Sequence, residues 1–196
     1  MPYLEKDPPI PKILYTILIF PLPLFQGPDA MPYPLAQLNQ MTEAEFIQAI
    51  GPAFEDTPQI AAQVWPQRPF ASVADLHSKM VALVRVMTAA DQLSLIQAHP
   101  DLGTRVAMAE ASVAEQSQAG LSQLSAAEYE RFQSLNQRYK EQFGFPFILA
   151  VAGHTKASIL DNFTQRLNND PATEKATALR QIETIAQLRL SSWVEE

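Results

Sequence analysis

The chain has 196 residues, a length that suits one compact domain able to bury most of its apolar surface. Hydrophobic residues at 47% and charged residues at 18% describe a globular protein, and 6 glycines leave little material for a glycine-rich phosphate loop. A formal charge of -7 with no Lys/Arg cluster excludes nucleic acid as an expected partner, and the lack of cysteine excludes disulfides, thiolate zinc sites and a cysteine nucleophile.

Residues 1–30 are set apart as an N-terminal extension. Ile13–Phe25 is an apolar run broken by Pro21 and Pro23 and preceded by the mixed charges Glu5, Lys6, Asp7 and Lys12. It is too short to span a bilayer and lacks the basic start and small-residue cleavage site of a secretory signal. Three readings stay open: a disordered or loosely docked tail, residues added by an upstream translation start, and a membrane-attaching segment. Met31 opens a second Met-Pro-Tyr, and helix-like patterning follows, so the expected domain covers residues 31–196. No membrane partner is expected of it.

From there the chain reads as a string of capped helices. Thr42 with Glu45, Ser72 with Asp75, Thr88 with Asp91 and Ser125 with Glu128 each pair a hydroxyl N-cap with an acid three residues on, ahead of an apolar run. Thr57-Pro58 and Asp170-Pro171 add two cap candidates followed by proline at the first helical position. Apolar spacing of three and four recurs at Val81, Val84 and Met87, and at Ile182, Ile185 and Leu188. The one strand-like run, Phe145–Val151, is equally readable as a buried helix. The predicted fold is all-α, a single-domain helical bundle of about seven to nine helices.

Three features carry possible chemistry. His77 sits inside a helix and His154 at a turn after Gly153, where ordinary structural roles suffice. His99 ends the apolar stretch Leu93–Ala98 and is followed by Pro100, which stops the helix. The negative end of the helix dipole favours its protonated form, so a proton donor titrating near neutrality is expected; a plain helix-terminal histidine is the alternative. Ser112, Glu115 and Gln116 stand at i, i+3 and i+4 and share one helical face. They offer a hydroxyl, a carboxylate and an amide to a small amide-rich ligand, although an exposed polar face has the same spacing. Arg189 continues the stripe of Ala178, Ile182 and Ile185 where an apolar residue is expected, so it points inward. A buried guanidinium needs a partner. Glu115, a ligand carboxylate and snorkelling to the rim are the three alternatives.

Arg68-Pro69-Phe70, Ala98-His99-Pro100-Asp101-Leu102, Ser112 with Glu115-Gln116, Gly120-Leu121, Leu135-Asn136, Phe143-Gly144-Phe145-Pro146-Phe147-Ile148, His154-Thr155-Lys156, Ser158-Ile159-Leu160 and Leu188-Arg189-Leu190 follow one another in order. Together they resemble the OHCU (2-oxo-4-hydroxy-4-carboxy-5-ureidoimidazoline) decarboxylase family over nearly all of residues 32–194. The resemblance implies an all-helical, homodimeric, cytoplasmic carboxy-lyase that forms S-allantoin from OHCU in urate degradation, with no metal and no organic cofactor. By the same resemblance His99 is the catalytic histidine and proton donor, with Glu115 and Arg189 also in the catalytic set. Pro100, Ser112, Glu115, Gln116, Phe147, Ile148, Leu149, Ala150 and Val151 are substrate-binding. Gly103-Thr104-Arg105 departs from the Ala-Gly-Lys expected after His-Pro-Asp-Leu, a segment that orients the histidine loop.

The resemblance also supplies the mechanism: electrons released with CO₂ pass into the substrate's own ring as an enolate, so the protein stabilises an oxyanion and delivers one proton. Glu115 and Gln116 are expected to grip the ureido and ring amides, and Phe145 and Phe147 to wall the pocket. The alternatives from other classes are a J-domain-like co-chaperone displaying His-Pro-Asp in a loop, a metal hydrolase using His99 and Asp101, and a helical scaffold. Thr88–Ala98 carries Asp91 and no Lys or Arg, unlike the basic helix a J-domain requires.

Overall fold

A computed structural model describes residues 32–104 and 109–196. The expectations for residues 1–30, and for Arg105 in the histidine loop, lie outside these described residues.

The helices are α1 (Leu35–Leu38), α2 (Glu43–Ile50), α3 (Gln59–Val64), α4 (Val73–Val86), α5 (Ala89–Gln97), α6 (Glu110–Gln118), α7 (Ala126–Phe143), α8 (Lys156–Arg166) and α9 (Pro171–Trp193). Short 3₁₀ turns follow α2 (Gly51–Phe54), α3 (Trp65–Gln67) and α6 (Leu121–Gln123). The predicted all-α bundle is therefore what forms. A two-residue parallel pairing, β1 (Tyr33–Pro34) with β2 (Val194–Glu195), joins the two ends of the described domain; nothing in the sequence signalled it. Among the described residues no helix is long and apolar enough to cross a membrane.

The four hydroxyl caps with an acid three residues on form as read. Thr42 and Ser125 complete reciprocal capping boxes with Glu45 and Glu128, while Ser72, Thr88 and Asp170 accept from the first-turn N–H groups of α4, α5 and α9. Lys156, together with the Ser125 cap, holds the Glu128 carboxyl down to about 2, tying the start of α8 to the start of α7. Thr57 does not cap: α3 begins at Gln59 with Pro58 ahead of it and no side-chain bond at its N-terminus. Thr155, which has a serine and not an acid three residues on, caps α8 through a box with Ser158.

The spine is α9, which packs on α4, α5, α7 and the Gly51–Phe54 turn. Its buried stripe runs through Ala178, Ile182, Ile185, Ala186, Arg189 and Leu190. Leu188 is not on it: the side chain is 46% exposed, because 3.6 residues per turn carries position 188 off the face that 182 and 185 share. Phe145–Val151 is neither strand nor helix. Gly144, at φ 78, ends α7, and the irregular chain that follows has residues 145–149 and Val151 buried. Its anchor is Arg166 of α8. That guanidinium donates to the Ile148 carbonyl at 2.6 Å, lies 4.3 Å over the Phe147 ring, and pairs with buried Glu174, which also binds the Tyr139 hydroxyl. Arg68 of Arg-Pro-Phe has a structural task, binding the Met41, Asn39 and Trp65 carbonyls.

Candidate active site

His99 follows the last turn of α5, and its ring is buried, with 7% of its surface exposed. Nδ1 lies 3.0 Å from the Leu95 carbonyl, an acceptor only, so Nδ1 carries the proton and donates. Nε2 then bears the lone pair, and this buried nitrogen has no hydrogen-bond partner. Burial pushes the imidazole pKa below its ordinary value, against the Glu55 charge and the Leu95 bond that act to raise it. This corrects the expectation of a dipole-favoured imidazolium: desolvation outweighs the helix end, and the resting histidine is neutral. His77 and His154 are satisfied elsewhere, by the Glu183 carbonyl at 2.8 Å and the Ser158 hydroxyl at 3.0 Å.

The loop that follows His99 is held on three sides. Asn136 of α7 donates to the Leu102 carbonyl at 2.9 Å, Gln116 of α6 accepts from the Gly103 N–H at 2.9 Å, and Lys140 pairs with Asp101 at 2.6 Å. Gly103 takes φ 68, the left-handed region that suits glycine, so the departure from Ala at this position fits the turn it makes. Asp101 is engaged by α7 while His99 is buried. This arrangement does not display His-Pro-Asp to a partner as a co-chaperone must. Among the described residues no group of three His, Asp or Glu stands ready to hold a metal ion.

Arg189 points inward, as its helical phase required. Nε and Nη2 grip Glu115 in a two-bond fork at 2.7 and 2.9 Å; Nη1 donates to Glu55 at 2.8 Å and to the Pro52 carbonyl at 2.9 Å; Nη2 also donates to Ser112 Oγ at 3.0 Å. Those bonds occupy all five guanidinium N–H donors. Of the three alternatives for its partner, the internal carboxylate is the one observed. Burial alone would lower the Arg189 pKa, but Glu115 and Glu55 together hold it above its ordinary value. Ser112 spends its proton on Glu55, with Oγ 2.8 and 2.9 Å from the two carboxylate oxygens.

Glu55 was not found from sequence. It ends the Gly51–Phe54 turn, is 6% exposed, and holds φ 54 and ψ -139, a conformation that costs a non-glycine residue of order ~1–3 kcal/mol. Its only local sign is position: a charged residue just after the apolar Gly-Pro-Ala-Phe run.

These groups meet at one small cleft, about 340 Å³ when counted out through its open mouth. His99, Pro100, Ser112, Glu115, Gln116, Phe147, Ile148, Leu149, Val151 and Arg189 line it, joined by Leu102 and Ile185, which sequence reasoning missed. Ala150 of the substrate-binding set is not in the lining. Its N–H donates to Gln181 of α9 at 2.9 Å. Phe145 is also outside it, in an aromatic cluster with Tyr139 and Phe143.

With the Arg189 donors and the Ser112 proton already committed, His99 Nε2 and the partly exposed Glu115 carboxylate offer lone pairs that the N–H and O–H groups of a ligand match.

A family model described as OHCU decarboxylase matches residues 39–191. The chain is 42% identical over 157 residues to 2-oxo-4-hydroxy-4-carboxy-5-ureidoimidazoline decarboxylase of Haloferax volcanii, covering 80% of this chain and 94% of that protein. It is 42% identical over 162 residues to the uric acid degradation bifunctional protein of Bacillus sp. (strain TB-90), covering 83% of this chain and 32% of that much longer protein. Among solved structures, (S)-allantoin synthase superposes with a TM-score of 0.68 at 30% identity, over 84% of this chain and 54% of that one. OHCU decarboxylase in the presence of (S)-allantoin superposes with a TM-score of 0.60 at 25% identity, over 70% and 92%. By its sequence, its helical fold and its relatives, the chain belongs to the OHCU decarboxylase family.

Proposed function

We propose that the chain decarboxylates 2-oxo-4-hydroxy-4-carboxy-5-ureidoimidazoline to (S)-allantoin, as a carboxy-lyase of urate degradation, and that neutral His99 moves the proton. The observation that carries this reading is the tautomer: Nδ1 is committed to Leu95, and Nε2 is left with a lone pair and no partner at the cleft.

The substrate's name places hydroxyl and carboxyl on ring carbon 4 and the ureido group on carbon 5. When the bond to the carboxylate breaks, its electron pair passes to the C4–C5 bond, and the adjoining C5=N bond gives its own pair to the ring nitrogen. His99 Nε2 takes the 4-hydroxyl proton, leaving an enolate across C4 and C5. The imidazolium so formed returns a proton to C5 from the side His99 occupies, which sets one configuration, and C4 becomes a carbonyl. Water supplies the proton that the ring nitrogen takes up. His99 is thus base first and proton donor second. Glu115 accepts ureido or ring N–H groups, while Arg189 orients Glu115 instead of gripping the substrate carboxylate. Pro100, Ser112, Gln116, Phe147, Ile148, Leu149 and Val151 bound the ring. The electron sink lies in the substrate, so this route includes no metal or organic cofactor step.

A helical domain beginning near residue 31, a homodimeric assembly and a cytoplasmic location, the last checked by cell fractionation, belong to the same proposal. In an assay that generates OHCU afresh from urate, the protein is expected to yield (S)-allantoin stereospecifically. His99→Asn is expected to lower kcat by roughly 10²–10⁴, the usual worth of acid–base help. Wild-type turnover in that variant overturns the role of His99.

A further inference from the structure

We propose that Glu55 is a positioning residue of this site: its carboxylate takes the Ser112 proton and one edge of Arg189, leaving Glu115 turned to the cleft, and its charge supports the imidazolium formed at His99.

The geometry begins with the guanidinium. Glu55 and the Pro52 carbonyl hold Nη1, and this fixes the plane in which Nε and Nη2 present their fork to Glu115. Ser112 bridges the two sides, donating to Glu55 and accepting from Nη2. Glu55 therefore decides that Ser112 shows the cleft a lone pair. Glu55 itself is not reached by a ligand, because it is held by Ser112 and Arg189 and does not line the cleft. The strained backbone at φ 54 is kept by these bonds, as expected where conformation serves a site.

Charge gives the second part. Arg189 carries one positive charge, and Glu55 and Glu115 one negative charge each, so the cluster is left with an excess of one negative charge. His99 and Arg189 line the same cleft, with Glu55 bonded to Arg189 behind it; Glu55 favours protonation of the imidazole and Arg189 opposes it. Glu115 on α6 is the other ionisable group of the cleft wall, and Asp101 is paired with Lys140. The Leu95 carbonyl holds Nδ1, and apolar Leu102 and Ile185 line the same cleft as His99. An imidazolium that forms for one step of a reaction, in a site this buried, gains most from a fixed anion that needs no reorganisation.

The test is the titration of His99 in the substrate-free protein, followed by NMR; with three histidines in the chain, His99→Asn assigns the signal. Glu55→Gln keeps shape and removes charge, and is expected to move the His99 titration to lower pH than in wild type. Glu55→Asp keeps the charge and is expected to leave it near the wild-type position; where the amide variant does not fold, a displaced titration in Glu55→Asp overturns the proposal. An unchanged titration in Glu55→Gln also overturns it, as does an equal displacement in both variants, which marks Glu55 as a packing residue only. The kinetic arm rests on the decarboxylase reading: Glu55→Gln is expected to lower kcat about tenfold with KM little changed. Absence of turnover in the wild-type protein counts against that reading and leaves the titration result standing.

Discussion

His99 shows how one side chain's burial sets a pH dependence. Its pKa in the unfolded chain is near 6.5, and burial lowers it in the folded protein. Between those two values the unfolded state holds more protons than the folded state, so stability rises with pH through that window. The contribution is complete above pH 6.5 and is lost as the pH falls toward the folded value. Denaturant midpoints are therefore expected to fall on acidification just below pH 6.5, before carboxylates titrate, and His99→Asn is expected to remove that component. The same acid slope in wild type and variant refutes the assignment. For activity, the acid limb of kcat/KM is expected to lie below pH 6.5, since protonating Nε2 removes the base. At this scale the sequence was informative where a residue broke a local rule. His99 before a proline, and Arg189 in an apolar stripe, both stood out. Glu55 broke no rule visible in one dimension.

Among the elements, the helices were legible because caps and periodicity are local. Thr42 and Glu45, or Ser125 and Glu128, satisfy each other's backbone groups within one turn, and no distant contact is needed to read them. The Phe145–Val151 segment was not legible, since a buried run of this length has no period of its own. Its shape is imposed by Arg166 and Glu174, which arrive from α8 and α9. The loop after His99 is similarly imposed, and Gly103 is where it is most constrained. A Cβ there would lie 3.0 Å from Leu124 Cδ1 and 3.3 Å from Phe132 Cγ, in addition to the left-handed φ. Gly103→Ala is expected to cost about 1–3 kcal/mol in urea unfolding. It should also lower activity by displacing the N–H that binds Gln116. Full stability and activity in that variant would show that the loop tolerates a different path.

For the molecule as a whole, charge and exposed apolar surface frame the proposed dimer. Each chain carries a formal charge of -7, so two copies repel, and among the described residues Val86, Val113 and Leu188 are the large hydrophobic side chains that face solvent. Sedimentation equilibrium is expected to return a dimer of the 21.8 kDa chain whose association tightens with salt, as screening removes the repulsion. A monomer at micromolar concentration overturns it. The sequence by itself determined the helical class, most helix starts, and the candidate status of His99, Ser112, Glu115, Gln116 and Arg189, because each depends on neighbours within a turn or two. Only the tertiary structure decided the neutral tautomer of His99, the saturation of Arg189 and the place of Glu55. Those follow from burial and from a pairing across 134 residues of chain, and desolvation and ion pairing act through space, where sequence distance has no meaning.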